Sequence, residues 1–170
     1  MIGVLFDLDQ TLIDSSIAES HRTSRNWPKV YSLIPKMAPY DGIGGILEFL
    51  IERDVQVGIV TSSPRSYCTK VVSHHEFKID KFVCFHDTTK RKPFPDPILK
   101  GIELLEVPAG DVWCIGDDVK DIQASHAAGA HSIAVTWGSV DKKALLASGA
   151  EQTFDSVEDL HEFLEKLTRP

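Results

Sequence analysis

The chain has 170 residues, of which 42% are hydrophobic and 25% are charged, close to the proportions of an ordinary globular protein. This length is enough for one domain with its own apolar core and makes two independent domains of usual size improbable. The formal net charge of -7 argues against general binding to nucleic acid or to a membrane surface.

The cysteines and the start of the chain indicate the compartment. Cys68, Cys84 and Cys114 are odd in number, far apart and set in apolar surroundings, which is typical of buried free thiols in a reducing compartment. Residues Met1 to Thr11 lack the basic start of a signal peptide, and no apolar run reaches the length of a membrane span. We therefore expect a cytoplasmic protein with no membrane partner.

The first predicted element is an apolar strand that ends at two acids. Residues Ile2 to Phe6 are long enough for a buried strand, and Asp7 and Asp9 follow it with one residue between them. Two carboxylates at the mouth of a buried strand repel each other and are costly to desolvate, so a divalent cation or a lysine is expected nearby. The alternative is an ordinary acidic turn at residues 9–11.

Residues Ser15 to Tyr40 form a polar segment with weak apolar periodicity. The pattern predicts one short helix before Pro28 and a further turn or helix after it, closed by Pro35 and Pro39. This segment does not fit the alternation of strands and helices in the rest of the chain, so we interpret it as an insertion.

From residue 41 onward, strands and helices alternate. Helices are predicted at residues 41–54, 98–106, 119–128, 142–147 and 157–167. Asp96-Pro97 is predicted to cap the helix at 98–106. Another helix is predicted to open at Ser63-Pro64, with Ser63 as its cap, and to run toward His75. Strands are predicted at residues 55–61, 82–85, 111–115 and 132–136, with a short edge strand at 152–154. Because the strands are apolar without strict alternation, the pattern indicates an α/β fold in which helices cover both faces of a parallel sheet.

Polar residues suited to chemistry follow four of these strands. Since the carboxyl ends of parallel strands share one edge of a sheet, these groups are expected to meet in one crevice. Carboxylate oxygens suit magnesium, while a lysine and hydroxyl groups suit phosphate, so together they predict a magnesium phosphoryl-transfer site. The residues are Asp7 and Asp9, Thr61 and Ser62, Lys92, and Asp117, Asp118 and Asp121.

With these motifs in this order, the sequence resembles the haloacid dehalogenase (HAD) superfamily, and within it the phosphoglycolate-phosphatase-like branch. The resemblance covers nearly the whole chain outside residues 15–40 and extends to the late loop Thr136-Trp137-Gly138. The four motifs of the superfamily are matched by Asp7, Asp9 and Thr11, by Thr61, by Lys92 to Asp96, and by Gly116, Asp117 and Asp121.

The resemblance implies a single three-layer α/β/α, Rossmann-like, HAD-like domain over residues 1–170, with a truncated cap at about 15–40. It also implies a phosphatase that hydrolyses a phosphomonoester through an aspartyl-phosphate. In that mechanism Asp7 is the nucleophile, and Asp9 protonates the leaving group and later activates water. Because dehalogenases lack an equivalent of Asp9, carbon–halogen chemistry is disfavoured.

The remaining roles are also implied by the resemblance. Thr61 and the amide of Ser62 hold the phosphoryl oxygens, and Lys92 steadies both the phosphate and Asp7. The implied cofactor is magnesium (Mg2+), with Asp7, the backbone carbonyl of Asp9, Asp117 and Asp121 as ligands. Asp118 is a further acid at this position, and whether it binds the metal is left open.

Gln10 departs from the branch, which usually has glycine there. Its side chain is expected either to face the site or to point to solvent or a neighbouring loop. Either way, the nucleophile and the acid remain in place.

The short insertion leaves no room for a full lid, so the site is expected to be open. This favours a large or macromolecular phosphorylated substrate, or a covering subunit in a homo-oligomer. The insertion also carries basic and aromatic residues, which either contact an anionic or aromatic part of the substrate or form a solvated face that Trp27 anchors to the core. These residues are Arg22, Arg25, Lys29 and Lys36, with Trp27 and Tyr31. Among the histidines, His86 lies nearest the predicted crevice.

Two alternatives to the enzyme remain open at this point. One is a phosphate- or phosphoprotein-binding module that keeps the fold but turns over poorly. The other is a structural or interaction protein whose insertion mediates assembly. The set of Asp7, Asp9, Lys92 and Asp117 argues against the binding module.

Overall fold

The computed structural model describes residues 1–169, and its centre is a six-stranded parallel sheet. Its strands are β1 (Gly3–Phe6), β4 (Gln56–Val60), β5 (Phe82–Val83), β6 (Val112–Gly116), β7 (His131–Val135) and β8 (Gln152–Phe154). The strand order is β5-β4-β1-β6-β7-β8, so the strand that precedes the first acids lies in the middle.

Successive side chains of a strand point to opposite faces of the sheet. Because the side chains on both faces are apolar here, helices cover both faces. Val4 and Phe6 of β1 pack into one apolar core, whereas Leu5 packs into a second. The first core includes residues of α3 (Ile43–Glu52), α4 (Arg65–His74) and α8 (Val157–Leu167), and the second includes residues of α5 (Asp96–Leu105) and α6 (Val119–Ala127). Leu145 of helix α7 (Lys142–Leu146) packs with Ile122 of α6 and Ala134 of β7. The predicted three-layer α/β/α, Rossmann-like architecture is confirmed.

The segment between β1 and α3 folds as short helices closed by a two-stranded antiparallel ribbon. The ribbon pairs Ile13 with Pro39 and Asp14 with Ala38, which brings the two ends of the segment together. Its elements are β2 (Ile13–Asp14), a 3₁₀ turn Ser16–Ala18, α1 (Glu19–Thr23), α2 (Trp27–Leu33), a 3₁₀ turn Ile34–Lys36 and β3 (Ala38–Pro39). The predicted helix boundary at Pro28 lies one residue late, because α2 begins at Trp27 and takes the proline into its first turn.

Two predicted helix caps are wrong. Ser63 does not cap α4; Pro64 occupies the cap position, and the Ser63 hydroxyl donates to Asp9 instead. Asp96 is the first residue of α5 rather than its cap, because the chain turns into the helix at Pro95. The predicted strand at residues 82–85 is also shorter and ends at Val83.

All three cysteines are free and buried, as predicted. Among residues 1–169, no helix is both long enough and apolar enough to cross a lipid bilayer.

Candidate active site

Asp7 and Lys92 form the centre of the candidate site. Asp7 follows β1, and its amide donates to the Ile115 carbonyl across 2.9 Å, which ties the end of β1 to β6. The Lys92 ammonium donates to Asp7 Oδ1 at 3.0 Å, to Asp121 Oδ1 at 2.6 Å and to the Val60 carbonyl at 3.0 Å. One buried lysine therefore joins the ends of β1 and β4 to the first turn of α6 (Val119–Ala127).

Three carboxylates surround this lysine. One oxygen from each of Asp7, Asp117 and Asp121 lies within 4.8 Å of the others. Burial raises the pKa of Asp7 to about 6 even though the Lys92 charge opposes the shift. Burial, together with the charges of Asp7 and Asp121, raises the pKa of Asp117 to about 9. Ionisation of Asp7 and Asp117 in this cluster therefore costs more free energy than ionisation of an aspartate in water.

Lys92 responds in the opposite direction. Burial by itself lowers the pKa of its ammonium, but the carboxylates of Asp121 and Asp7 raise it above its ordinary value. The lysine is therefore charged at neutral pH and neutralises one of the three carboxylates.

The donor set fits a hard divalent cation. With Lys92 charged, ionising all three carboxylates would leave two negative charges uncompensated, which is why the pKa values of Asp7 and Asp117 are raised without a metal ion. Oxygen ligands from carboxylates are those that Mg2+ prefers, and a divalent ion would supply the missing charge. Asp7 and Asp117 are better placed for this than Asp121, because both oxygens of Asp121 accept hydrogen bonds from Lys92 and the Asp118 amide.

Asp118 and Asp121 also hold the start of α6. The Asp118 carboxylate accepts from the Lys120 amide at 2.8 Å, and Asp121 Oδ2 accepts from the Asp118 amide at 3.1 Å. This reciprocal arrangement is a capping box, which satisfies backbone donors at the helix start. Asp118 is therefore engaged as a helix cap and is not one of the three clustered carboxylates.

Thr11 and Thr61 complete two sides of the site. The Thr11 hydroxyl donates to Asp117 Oδ1 at 2.9 Å, and this orients the carboxylate. The Thr61 hydroxyl accepts from the Ser63 amide at 3.0 Å, at the end of β4. Thr61 and Ser62 line the same cavity of about 280 Å³ as Asp7 and Lys92.

Asp9 points into a cage of four side chains. Asp9 Oδ1 accepts from Ser15 and Tyr67, both at 2.7 Å, and Oδ2 accepts from Ser63 at 2.9 Å. Arg22 of α1 completes the cage with an ion pair of 3.1 Å to Oδ2. Both oxygens of the predicted general acid are therefore already bound.

Three of these cage residues were missed in the sequence. Tyr67 is fully buried on α4 and Ser15 follows β2, and neither belongs to the four motifs that predict the site. Ser63 is predicted only as a helix cap. A polar residue within a buried stretch is a signal that a partner exists, but the pattern does not say which partner.

Gln10 occupies a left-handed backbone conformation, with φ of 65°, which glycine adopts most easily. Its side-chain oxygen accepts from the Ser15 amide at 3.0 Å and from the Tyr40 hydroxyl at 3.4 Å. The side chain therefore binds the neighbouring loop. Gly138 packs against the same turn, where an added Cβ would lie 2.1 Å from the Gln10 carbonyl oxygen.

The basic residues of the insertion separate into two groups. Arg22 and Arg25 line cavities beside the site, whereas Lys29 and Lys36 are exposed and line neither of the two cavities next to Asp9. Trp27 packs against Tyr67, with ring centroids 5.9 Å apart, and so anchors α2 to the core. Trp27 therefore acts as the anchor of the insertion on the core, as one of the two interpretations expects. Arg22 and Arg25 lie where the other interpretation, contact with the substrate, places them.

A sequence profile described as Haloacid dehalogenase-like hydrolase matches residues 17–135, which is most of the chain. The chain belongs to this family. The family match includes the second, third and fourth motifs, while Asp7 and Asp9 lie just before the matched residues.

Two curated relatives show similar sequences over parts of their length. The N-acetylmuramic acid 6-phosphate phosphatase of Pseudomonas aeruginosa is 28% identical over 131 residues, which cover 75% of this chain and 58% of the relative. The phosphoglycolate phosphatase of Xylella fastidiosa is 34% identical over 102 residues, covering 59% of this chain and 44% of the relative. The matched part of this chain thus spans about half the length of these relatives.

A solved structure has the same fold over nearly all of this chain. A hydrolase from Pseudomonas syringae superimposes with a TM-score of 0.83 at 21% identity, covering 98% of this chain and 99% of that one. At this level of identity the similarity establishes the fold.

Proposed function

We propose that this protein is a magnesium-dependent phosphatase that hydrolyses a phosphomonoester through an aspartyl-phosphate on Asp7. The observation that carries the proposal is the position of Asp7. Its carboxylate lies at the end of the central strand, 3.0 Å from the Lys92 ammonium, in a cavity that Thr61 and Ser62 also line. Membership of the HAD-like family and the phosphatase activity named for the curated relatives support the same activity.

In the first step, the Asp7 carboxylate attacks phosphorus and the bond from phosphorus to the ester oxygen breaks. Asp9 gives a proton to the departing oxygen. Lys92 and the groups of Thr61 and Ser62 bind the phosphoryl oxygens and stabilise the charge that spreads over them. Lys92 also fixes the orientation of Asp7, because it donates to one carboxylate oxygen and leaves the other for attack.

In the second step, water attacks phosphorus in the aspartyl-phosphate. Asp9 takes the proton of that water, the bond from Asp7 to phosphorus breaks, and inorganic phosphate leaves with the Asp7 carboxylate restored. Asp7, Asp117 and Asp121, with the Asp9 backbone carbonyl, are the proposed holders of Mg2+. When bound, Mg2+ supplies positive charge that offsets the carboxylates and the phosphate.

The proposed substrate is a small phosphorylated molecule. The cavity beside Asp7 has a volume of about 280 Å³, which accommodates a phosphoryl group and part of its ester. The names of the curated relatives refer to small phosphorylated molecules. A macromolecular substrate and a covering subunit stay predictions based on the short insertion.

A second candidate is a phosphate-binding module with weak turnover. The environment of Asp9 favours it, because Arg22 and three hydroxyl groups already occupy the carboxylate that must transfer protons. The phosphatase remains the better-supported function, since the nucleophile, the lysine and the acidic cluster are all in place around one cavity.

One experiment separates the two candidates. Purified protein is incubated with p-nitrophenyl phosphate, with and without Mg2+, and release of p-nitrophenol is followed. The phosphatase predicts release that requires Mg2+ and disappears in Asp7→Asn. Phosphate binding measured by calorimetry without any turnover, on p-nitrophenyl phosphate and on a panel of phosphorylated metabolites, would establish the binding module instead.

A further inference from the structure

A second cavity, of about 420 Å³, lies beside the candidate active site. The two cavities share four lining residues, namely Glu19, Arg22, Ser62 and Ser63, so they lie directly beside each other. A phosphomonoester with its phosphoryl group beside Asp7 can therefore extend its organic part into the second cavity. The volume lies within the range of small-molecule sites in proteins.

The lining of the second cavity differs in charge from the acidic cluster. Arg22 and Arg25 supply two positive charges, Glu19 supplies one negative charge, and His86 adds a further donor. Arg22 is already paired with Asp9, whereas Arg25 has no ion pair among the described residues, so Arg25 is the positive charge available to an anionic group of a ligand. Trp27 contributes an apolar wall that suits a ring.

Arg22 is the positively charged residue among the four that line both cavities. Its guanidinium contacts Asp9 at 3.1 Å, the Ser15 hydroxyl at 3.2 Å and the Ser63 hydroxyl at 3.4 Å. A guanidinium has five N–H donors, so these three contacts leave donors for another acceptor. The Nε atom is buried and has no hydrogen-bond partner in the described part of the chain.

We propose that the second cavity binds the leaving group of the substrate, and that Arg22 and Arg25 select ring-sized leaving groups carrying a second negatively charged group. The inference rests on the proposed phosphatase function and adds the class of substrate to it. An arginine forms short, charge-assisted hydrogen bonds with either a carboxylate or a phosphate, so both anions are members of this class.

Three synthetic substrates isolate the second charge. Benzyl phosphate has none, 4-carboxybenzyl phosphate has a carboxylate, and 4-(phosphonomethyl)benzyl phosphate has a phosphonate that cannot be hydrolysed as an ester. In each the methylene group insulates the ester oxygen from the substituent, so the chemistry at phosphorus is nearly constant. The measurement is kcat/KM for each substrate at pH 7.5 with saturating Mg2+.

For the unmodified protein we expect kcat/KM to be about tenfold higher for at least one anionic substrate than for benzyl phosphate. Comparison of the carboxylate and the phosphonate identifies which anion is preferred. Arg25→Gln should bring the ratio of kcat/KM between the preferred anionic substrate and benzyl phosphate close to one. The change should lie mainly in KM, because Arg25 forms no hydrogen bond or ion pair with Asp9 in the described part of the chain. Arg22→Gln should lower the ratio as well, and also lower kcat on all three substrates through the loss of its contact with Asp9.

Arg53→Gln is the matched control, because Arg53 lies over the Phe49 ring at the end of α3 and lines neither cavity. Its ratio should equal that of the unmodified protein. Two outcomes would overturn the inference while leaving the phosphatase intact. One is that kcat/KM is equal for the three substrates. The other is that Arg22→Gln lowers kcat/KM equally on all three substrates while Arg25→Gln has no effect. No Mg2+-dependent hydrolysis of any of the three, or of p-nitrophenyl phosphate, would count against the proposed function itself.

Discussion

Arg22 and Asp9 form an ion pair of 3.1 Å that joins the helical insertion to the loop after the central strand. The insertion therefore reaches the candidate active site directly. Since Asp9 is the proposed proton donor, the position of α1 bears on the chemistry as well as on access to the site.

Asp7→Asn should abolish turnover and prevent any phosphoenzyme from forming, because the amide is a poor nucleophile. We expect kcat to fall by at least about 10³-fold. The same substitution removes a buried carboxylate whose pKa is raised to about 6, so the metal-free protein should become more stable at pH 8. The measurements are acid-quench trapping of labelled phosphoenzyme and thermal unfolding. Residual phosphoenzyme in this variant would show that another group is the nucleophile.

Asp9→Asn should slow both formation and breakdown of the phosphoenzyme, since Asp9 is proposed to act in both steps. It should also destabilise the fold by about 1–3 kcal/mol, because the new amide donors face Ser15, Ser63, Tyr67 and Arg22, which are donors themselves. Single-turnover kinetics and urea unfolding measure the two effects.

Tyr67→Phe is the matched comparison for Asp9. It removes one donor to the carboxylate, which should cost about 1.5–3 kcal/mol of stability, and it keeps the acid. Phosphoenzyme should therefore still form and break down in this variant. If Tyr67→Phe stops turnover as completely as Asp9→Asn does, the effect of Asp9 lies in structure and not in proton transfer.

The stability of the metal-free protein should fall as pH rises. The pKa of Asp117 is about 9 in the folded state against an ordinary value of 3.8, so the folded protein binds more protons than the unfolded chain between these values. Stability linked to this group is therefore present at low pH and is lost as pH rises from about 4 toward 9. The Tm without Mg2+ should be lower at pH 8.5 than at pH 5.5.

Mg2+ should reverse this loss, because the ion replaces the protons as the source of compensating charge. The gain in Tm on adding Mg2+ should thus be larger at pH 8.5 than at pH 5.5. Asp117→Asn serves as the control and should flatten the pH dependence and reduce the response to Mg2+. An equal effect of Mg2+ on the variant would place the ion elsewhere.

Gly116→Ala should disrupt the site from within the sheet. A Cβ at residue 116 would lie 2.3 Å from Asp121 Oδ2 and 2.5 Å from its Cβ, so the start of α6 must shift. Asp121 would then lose its position beside Lys92. We expect about tenfold or greater loss of kcat/KM and weaker stabilisation by Mg2+.

Gly110→Ala is the control for this glycine. An added Cβ there has no atom within 4 Å, so activity and Mg2+ response should stay unchanged. A Gly116→Ala protein that also behaves like the unmodified protein would mean that the contact between Asp121 and Lys92 is dispensable.

Most of the fold could be predicted because its signals are local. The apolar run before Asp7 and the helical spacing of Ile43, Ile46 and Leu50 each lie within one element, and the structure places β1 and α3 there. Errors occurred where a residue had two competing partners. Ser63 is a good helix cap by type, but Asp9 lies near enough to take its hydroxyl.

The sequence by itself determined which groups end the central strands, because an apolar strand followed by Asp7, Thr61 or Asp117 is a local pattern. Only the tertiary structure decided how these groups are held. Asp9 is bound by Ser63 and Tyr67, which are 54 and 58 residues away along the chain, and by Arg22 from the insertion. Contacts of this kind depend on how helices pack over the sheet and where side chains point, and neither follows from the spacing of residues.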